Sequence, residues 1–177
     1  YFSMYAHELS GGLRQRALIA IALAANPELL IADEPTTALD VSVQRQILLL
    51  LSELKKEMQL SLLLITHDLG VVSQIAEHVA VMYAGKIVEI APQKALFANP
   101  QHPYTQMLFK AIPGFDCSTD ANPADTFVEH KKKITGTGCS FVQRCPESIP
   151  MCSIQVPELK TINKNHSCAC YQRKTHE

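Results

Sequence analysis

Ser10-Gly11-Gly12, Asp33-Glu34 and His67 have side chains and spacings suited to phosphate chemistry. Ser10 offers a hydroxyl at the start of a predicted helix, and Gly11 and Gly12 offer unhindered backbone N–H groups. That combination is an anion site by geometry and by helix dipole. A side chain at either glycine would obstruct the close approach of a phosphate. Asp33 and Glu34 end the apolar run 29–32. In open α/β sheets, ligands gather at the carboxyl ends of such strands. Asp33 there could hold Mg²⁺ through water, and Glu34 could orient or polarise an attacking water. His67 follows a second apolar run, 62–66, where it could hydrogen-bond a terminal phosphate and help fix that water. Each cluster has a plain alternative: an ordinary helix cap, a solvated strand end, a structural histidine.

The second chemical signal is sulfur. All six cysteines lie between Cys117 and Cys170. Cys139, Cys145, Cys152 and Cys170 fall at C-x5-C-x6-C-x17-C. Four thiolates can hold an iron–sulfur cluster or a structural zinc, and plain thiols are the third reading. The spacing lacks the C-x2-C pair of zinc ribbons, which favours the cluster. A small tail with little core gains from a metal staple. Cys168 is an alternative fourth ligand, Cys117 is read as free, and His166 as structural.

These residues need elements to position them. Segment 13–25 is apolar almost all round after Arg16, so it reads as a buried helix capped by Ser10 and stopped by Asn26-Pro27. Run 29–32 reads as a central parallel strand buried on both faces. Asp40 caps a second helix, with Val43, Ile47, Leu50 or Leu51, Leu54 and Met58 at helical spacing. Residues 60–66 form another strand and 69–77 a helix. Val79, Val81 and Tyr83 alternate before an Ala84-Gly85 turn and a return over 86–90, a hairpin pattern. Strand and helix in alternation imply an α/β layer with a mainly parallel sheet. Segment 92–111 reads as two short helices broken at Asn99-Pro100, and 113–123 as a linker. Lys131-Lys132-Lys133 reads as a solvated surface, and 136–170 as loop-rich. No internal repeat is visible.

Bulk properties narrow the classes. A chain of 177 residues fits one domain, or a domain with an appendage. Its 47% apolar content is ordinary for a folded protein. A net charge of −1 and a pI near 6.7 argue against a broad electrostatic footprint for nucleic acid. No apolar run approaches the ~18 residues that cross a bilayer, so work at a membrane would require docking to another subunit. No signal peptide precedes the first motif.

The motifs in order carry a resemblance. The octet Leu9-Ser10-Gly11-Gly12-Leu13-Arg14-Gln15-Arg16 is followed by Leu29-Leu30-Ile31-Ala32-Asp33-Glu34, then Ala38-Leu39-Asp40, then Leu64-Ile65-Thr66-His67-Asp68. This resembles the second half of an ABC-type ATPase: signature loop, Walker B strand, D-loop and switch histidine. Leu13 stands where many ABC proteins have Gln, and an apolar residue there is usual in the peptide-importer branch. His102-Pro103-Tyr104-Thr105 and the cysteine tail resemble the C-terminal extension of ATPases serving oligopeptide, dipeptide and nickel importers. In the tail, Phe141, Arg144-Cys145-Pro146, Pro157-Glu158-Leu159 and His166 sit where that extension has similar residues. The resemblance implies an α/β fold: the C-terminal half of an ABC-type P-loop ATPase domain with a mainly parallel sheet, plus a small helical and Cys-rich extension. The expected boundaries are 1–91 for the partial ATPase domain, 92–134 for the helical extension and linker, and 135–177 for the tail. No G-x-x-x-x-G-K-[ST] phosphate loop occurs in the chain.

The resemblance also implies a mechanism. Two such domains pack head to tail around two ATP molecules. Asp33, holding Mg²⁺, with Glu34 and His67 belongs to the site whose phosphate loop is expected upstream in the same protein. Ser10, Gly11, Gly12 and Gln15 belong to ATP held by the partner, and Asp40 lies in the loop that crosses the dimer interface. The 177-residue chain alone is expected to have negligible ATPase activity. Implied partners are a second ABC ATPase subunit, commonly a paralogue, two membrane permease subunits and an extracytoplasmic solute-binding protein, with no nucleic acid. The implied place is the cytoplasmic face of the bacterial inner membrane, where disulfides are disfavoured. For the tail, Cys139, Cys145, Cys152 and Cys170 would hold a [4Fe–4S] cluster, with zinc the alternative. The chain begins at Tyr1 and is expected to be the C-terminal portion of a longer protein. Two rival readings are a non-transport ABC ATPase acting on DNA or ribosomes, and an inactive remnant of a truncated subunit. The HPYT segment, the tail spacing and the lack of basic excess oppose the first. The transported solute is not legible in the chain.

Overall fold

The computed structural model describes residues 4–111 and 137–173. The expected linker at 113–123, Lys131-Lys132-Lys133 and Cys117 lie outside them. The chain divides into two compact units between Ala76 and Glu77.

In the first unit, helix α1 (Gly11–Leu23) leads to strand β1 (Leu29–Asp33), helix α2 (Val41–Glu57), strand β2 (Ser61–Ile65) and helix α3 (Leu69–Ile75). β1 and β2 are parallel, with Leu29 opposite Ser61 and Asp33 opposite Ile65. Parallel neighbours need a long crossover, and α2 supplies it. All three helices begin at side-chain caps. Ser10 accepts from Leu13 N–H at 3.3 Å, and Asp40 from Ser42 and Val43 N–H at 3.0 and 2.9 Å. Asp68 accepts from Gly70 N–H at 2.8 Å. Such caps satisfy N–H groups that the first turn leaves without partners. The core gathers Ile19, Leu30, Ile47, Leu51 and Leu60.

Two expectations about burial change here. β1 is not buried on both faces: Leu30 and Ala32 are buried, while Leu29 and Ile31 are 50% and 59% exposed. On β2, Leu63 and Ile65 are exposed as well. An apolar run fixes strand propensity, but burial of its second face needs a second layer. Among the described residues, β1 and β2 pair only with each other. α1 likewise buries Ile19 and leaves Leu18 and Ile21 exposed.

In the second unit, strands β3 (His78–Tyr83) and β4 (Lys86–Pro92) form the expected hairpin. Its Ala84-Gly85 turn has φ of 48° and 76°. Positive φ at both central residues matches the right-handed twist of the strands. Helices α4 (Gln93–Ala98) and α5 (Pro103–Lys110) follow. The tail is more regular than a loop-rich segment: it holds a 3₁₀ turn at Val142–Arg144, helix α6 (Pro150–Ile154), and strands β5 (Lys160–Asn163) and β6 (His166–Cys168). β6 pairs with β4, so hairpin and tail share one antiparallel sheet of order β3-β4-β6-β5. Val81, Val88, Ala91, Leu96 and Phe109 form its core.

Glu89 lies fully buried in β4. A buried carboxylate is tolerated only when its oxygens are satisfied. Glu89 accepts from Gln101 N–H at 2.7 Å, from His102 N–H at 2.9 Å, and pairs with His166 Nε2 at 2.7 Å. One side chain thus ties the hairpin to the turn before α5 and to β6. His166 is the structural histidine expected, buried against Glu89. His102 caps α5 through Nδ1, which accepts from Tyr104 N–H at 3.1 Å, and Pro103 occupies the first turn. Burial holds the His102 imidazole below its ordinary pKa.

Candidate functional site

The parallel register does the main work in the first unit. Asp33 ends β1 opposite Ile65, and Glu34 N–H donates to Ile65 O at 2.9 Å. His67 lies two residues past Ile65, so adjacent strand ends bring Glu34 and His67 together. His67 Nδ1 lies 2.7 Å from Glu34 Oε1, and Thr37 Oγ1 donates to Glu34 Oε2 at 2.5 Å. These contacts hold the Glu34 carboxyl below its ordinary pKa, Thr37 first and His67 second. The Glu34 carboxylate in turn raises His67, favouring imidazolium. With Nδ1 engaged, Nε2 is the ring atom left to donate to an anion.

Glu34 has φ of +48°, a left-handed value uncommon for a residue with a side chain. Ala38, four residues on, has φ of +64°. The turn between them closes through Thr37 N–H to Glu34 O at 3.2 Å and Leu39 N–H to Thr36 O at 3.3 Å. Backbone strain of this kind clusters at functional sites. Asp33 is exposed at the strand end beside Glu34. One carboxylate is a usual protein contribution to Mg²⁺, which keeps waters and takes substrate phosphates as its other ligands.

Ser10, Gly11 and Gly12 form the N-terminus of α1, and Gln15 lies half-buried one turn on. A Cβ on Gly11 would lie 3.0 Å from Leu39 Cδ2, and one on Gly12 would lie 2.7 Å from Val43 Cγ1. The glycines therefore allow this terminus to sit against residues on either side of Asp40. Asp40 itself binds Ser42 N–H, Ser42 Oγ and Val43 N–H, and these bonds hold its carboxyl below the ordinary range.

In the second unit, Cys139, Cys145, Cys152 and Cys170 line one cavity with Phe141 and His102. Cys168 does not line it: that thiol is buried in β6, where burial and the Glu89 carboxylate push its pKa up. Gly138 makes the approach of the first and third cysteines possible. A Cβ there would lie 2.3 Å from Cys152 O, and Cys139 N–H donates to that oxygen at 2.7 Å. Arg173 binds Glu147 through both guanidinium arms at 2.7 and 3.0 Å, and Gln101 O at 2.6 Å, which anchors the chain just after Cys170. Burial raises the Cys145 and Cys170 thiols, so a bound metal would have to displace their protons. Among the described residues no group of three or more His, Cys, Asp or Glu stands gathered closely enough to hold a metal ion.

Sequence reasoning missed Thr37, Glu89 and Gly138. A threonine three residues after an acid in a Pro-containing turn is a signal for Thr37. A glycine next to a candidate ligand is a signal for Gly138. Glu89 gave none, because a charged residue in a hairpin ordinarily faces water.

The order and geometry of the first unit put the chain in the class of ATP-binding-cassette proteins. The ABC transporter family model matches residues 2–37, and the model for the C-terminal region of oligopeptide/dipeptide transporters matches residues 88–152. The chain belongs to the ABC transporter ATP-binding family, in its oligopeptide/dipeptide branch. It is 45% identical over 181 residues to the dipeptide transport ATP-binding protein DppD of Bacillus subtilis strain 168, covering 97% of this chain and 52% of that protein. It is 44% identical over 175 residues to the oligopeptide transport ATP-binding protein OppD of Salmonella typhimurium strain LT2, covering 96% of this chain and 50% of that protein. Among solved structures, cbiO1 of Clostridium perfringens, part of the ABC transporter complex cbiONQ, matches with a TM-score of 0.50 at 36% identity. That match covers 53% of this chain and 38% of the other. The chain spans about half the length of the curated relatives it matches.

Proposed function

We propose that this chain is the C-terminal half of the ATP-binding subunit of a bacterial importer for peptides or related small solutes. The observation that carries the reading is the Glu34–His67 pair at the carboxyl ends of two parallel strands, in a chain of this family. In this reading Asp33 holds Mg²⁺ on the ATP phosphates. Glu34 orients and polarises the attacking water, and His67 Nε2 donates to the terminal phosphate. Phosphoryl transfer depends on positioning and charge stabilisation, which these residues supply at fixed strand ends. Ser10, Gly11, Gly12 and Gln15 face ATP held by a partner ATPase subunit, and Asp40 lies in the loop that meets it.

The proposed assembly pairs this subunit with a second ATPase subunit, two membrane permeases and an extracytoplasmic solute-binding protein. The subunit docks peripherally on the cytoplasmic side, in keeping with the finding that no helix among the described residues is long and apolar enough to cross a membrane. The relatives are named for dipeptide and oligopeptide transport, which supports a peptide cargo. Cys139, Cys145, Cys152 and Cys170 are proposed to hold a [4Fe–4S] cluster, with Zn²⁺ as the alternative. All four line one cavity, which favours that set over one containing Cys168, and their thiols would have to draw closer together to hold the group. Such a group would staple the tail. The boundaries 1–91, 92–134 and 135–177 remain the proposed functional division.

Two measurements test the reading. In a complete subunit carrying this chain as its C-terminal half, Glu34→Gln abolishes ATP hydrolysis and peptide uptake while ATP still binds. The isolated 177-residue chain, lacking a phosphate loop, hydrolyses no ATP. Glu34-dependent turnover by the isolated chain, or uptake that survives Glu34→Gln, overturns the assignment. Iron and acid-labile sulfide after anaerobic purification support the cluster, and stoichiometric zinc without iron selects the alternative.

A further inference from the structure

Both oxygens of the Glu34 carboxylate have a side-chain partner, one on each: His67 Nδ1 at Oε1 and Thr37 Oγ1 at Oε2. The His67 contact spans the two strand ends. The Thr37 contact is local to the turn and belongs to a side chain with no packing role, since Thr37 is exposed while Thr36 and Pro35 beside it are buried. The main chain beneath is fixed as well. Glu34 N–H is bonded to Ile65 O, Glu34 O to Thr37 N–H, and the turn passes through left-handed φ at Glu34 and Ala38. With its backbone held, the remaining freedom of Glu34 is rotation of its side chain. A pair of donors on opposite carboxylate oxygens stops that rotation, because turning the carboxylate breaks both bonds. A carboxylate has about four lone-pair directions. Two donors leave room for a water, so the clamp orients the group without blocking it.

We infer that Thr37 is a positioning residue for hydrolysis: its hydroxyl and His67 together hold the Glu34 carboxylate in the one orientation that meets the attacking water. This rests on the proposed role of Glu34. Thr37 acts through Glu34, so it affects the chemical step and leaves nucleotide binding alone.

The test uses the complete subunit assembled with its partner subunits, in four forms: wild type, Thr37→Val, Thr37→Ser and Glu34→Gln. Valine keeps the branched shape and removes the hydroxyl at an exposed position, so the fold and its Tm stay as in wild type. Full misplacement of a reacting group costs ~10²-fold in rate. Loss of one of two clamps is expected to lower kcat by roughly 3- to 10-fold, with KM for ATP unchanged. Thr37→Ser restores the hydroxyl and is expected to recover most of the wild-type kcat. If Glu34→Gln abolishes turnover but Thr37→Val turns over at the wild-type kcat, the inference is overturned and the role of Glu34 stands. A Thr37→Ser variant as slow as Thr37→Val also overturns it, because the hydroxyl is then not the operative group. Unimpaired turnover by Glu34→Gln removes the premise and the inference together. A Thr37→Val variant with raised KM and unchanged kcat reassigns the residue to nucleotide binding and overturns the clamp.

Discussion

Gly138→Ala is the perturbation whose consequence follows most directly from the close packing of Gly138 against Cys152 and Ser153. The added Cβ would sit 2.3 Å from Cys152 O, 2.6 Å from Ser153 C and 2.7 Å from Ser153 O. All three are backbone atoms, so no side-chain rotation relieves the contact. Ordinary contact begins near 3.4 Å, and 3.4 minus 2.3 leaves about 1.1 Å by which the two segments must part. The Cys139 N–H to Cys152 O bond, now 2.7 Å, would open to roughly 3.8 Å, beyond hydrogen-bond range. Losing that bond costs about 1 kcal/mol net, and overpacking a close contact costs ~1–3 kcal/mol. The expected destabilisation of the second unit is therefore roughly 2–4 kcal/mol, or a Tm lower by roughly 8–32 °C at ~4–8 °C per kcal/mol. Calorimetry would compare wild type, Gly138→Ala and the exposed control Ser153→Ala, with hydrogen exchange at the Cys139 amide followed in parallel. The same displacement moves Cys139 away from Cys152, so any cluster or zinc held at the proposed tail site should be lost along with stability. A Gly138→Ala protein that melts within about 2 °C of wild type, with its Cys139 amide still protected, would refute the close approach.

Gly12→Ala drives a Cβ to 2.7 Å from Val43 Cγ1 and should cost about 1–2 kcal/mol in denaturant titrations, overpacking outweighing the better helix propensity of alanine. Val43→Ala in the same protein makes room, so the two costs should be less than additive; strict additivity would count against the contact. Glu89→Ala strips partners from the Gln101 and His102 amides and from His166, and should cost about 3–5 kcal/mol. A loss below about 1 kcal/mol would show that the buried network matters little. The Glu34 carboxylate raises the His67 pKa above the ordinary ~6.5. Its contribution to stability is therefore complete below that value and is lost as pH rises through the folded-state pKa. Glu34→Gln should move the His67 midpoint down toward ~6.5, read from imidazole NMR shifts, and an unmoved midpoint would break the proposed pairing.

Local chemistry was legible in the sequence because its partners lie two to four residues apart. The caps at Ser10 and Asp40, the hairpin with its Ala84-Gly85 turn, and the helix break at Asn99 depend on short-range donors, acceptors and allowed φ. The motif order also singled out Glu34, His67 and the four cysteines. What it could not supply was adjacency. Glu34 and His67 meet because β1 and β2 pair in parallel with Asp33 opposite Ile65, a register set by long-range hydrogen bonds. Cys139 and Cys152 approach because Gly138 lets one backbone lie on another. Glu89 is buried because β6, far along the chain, closes over β4 and brings His166 with it. The apolar run 29–32 specified a strand, yet its outer face is open, since burial depends on what packs there. Side-chain type and spacing therefore determined the candidate residues and most elements. The tertiary structure decided which residues touch and which are buried, because those are properties of segments distant in sequence that share space.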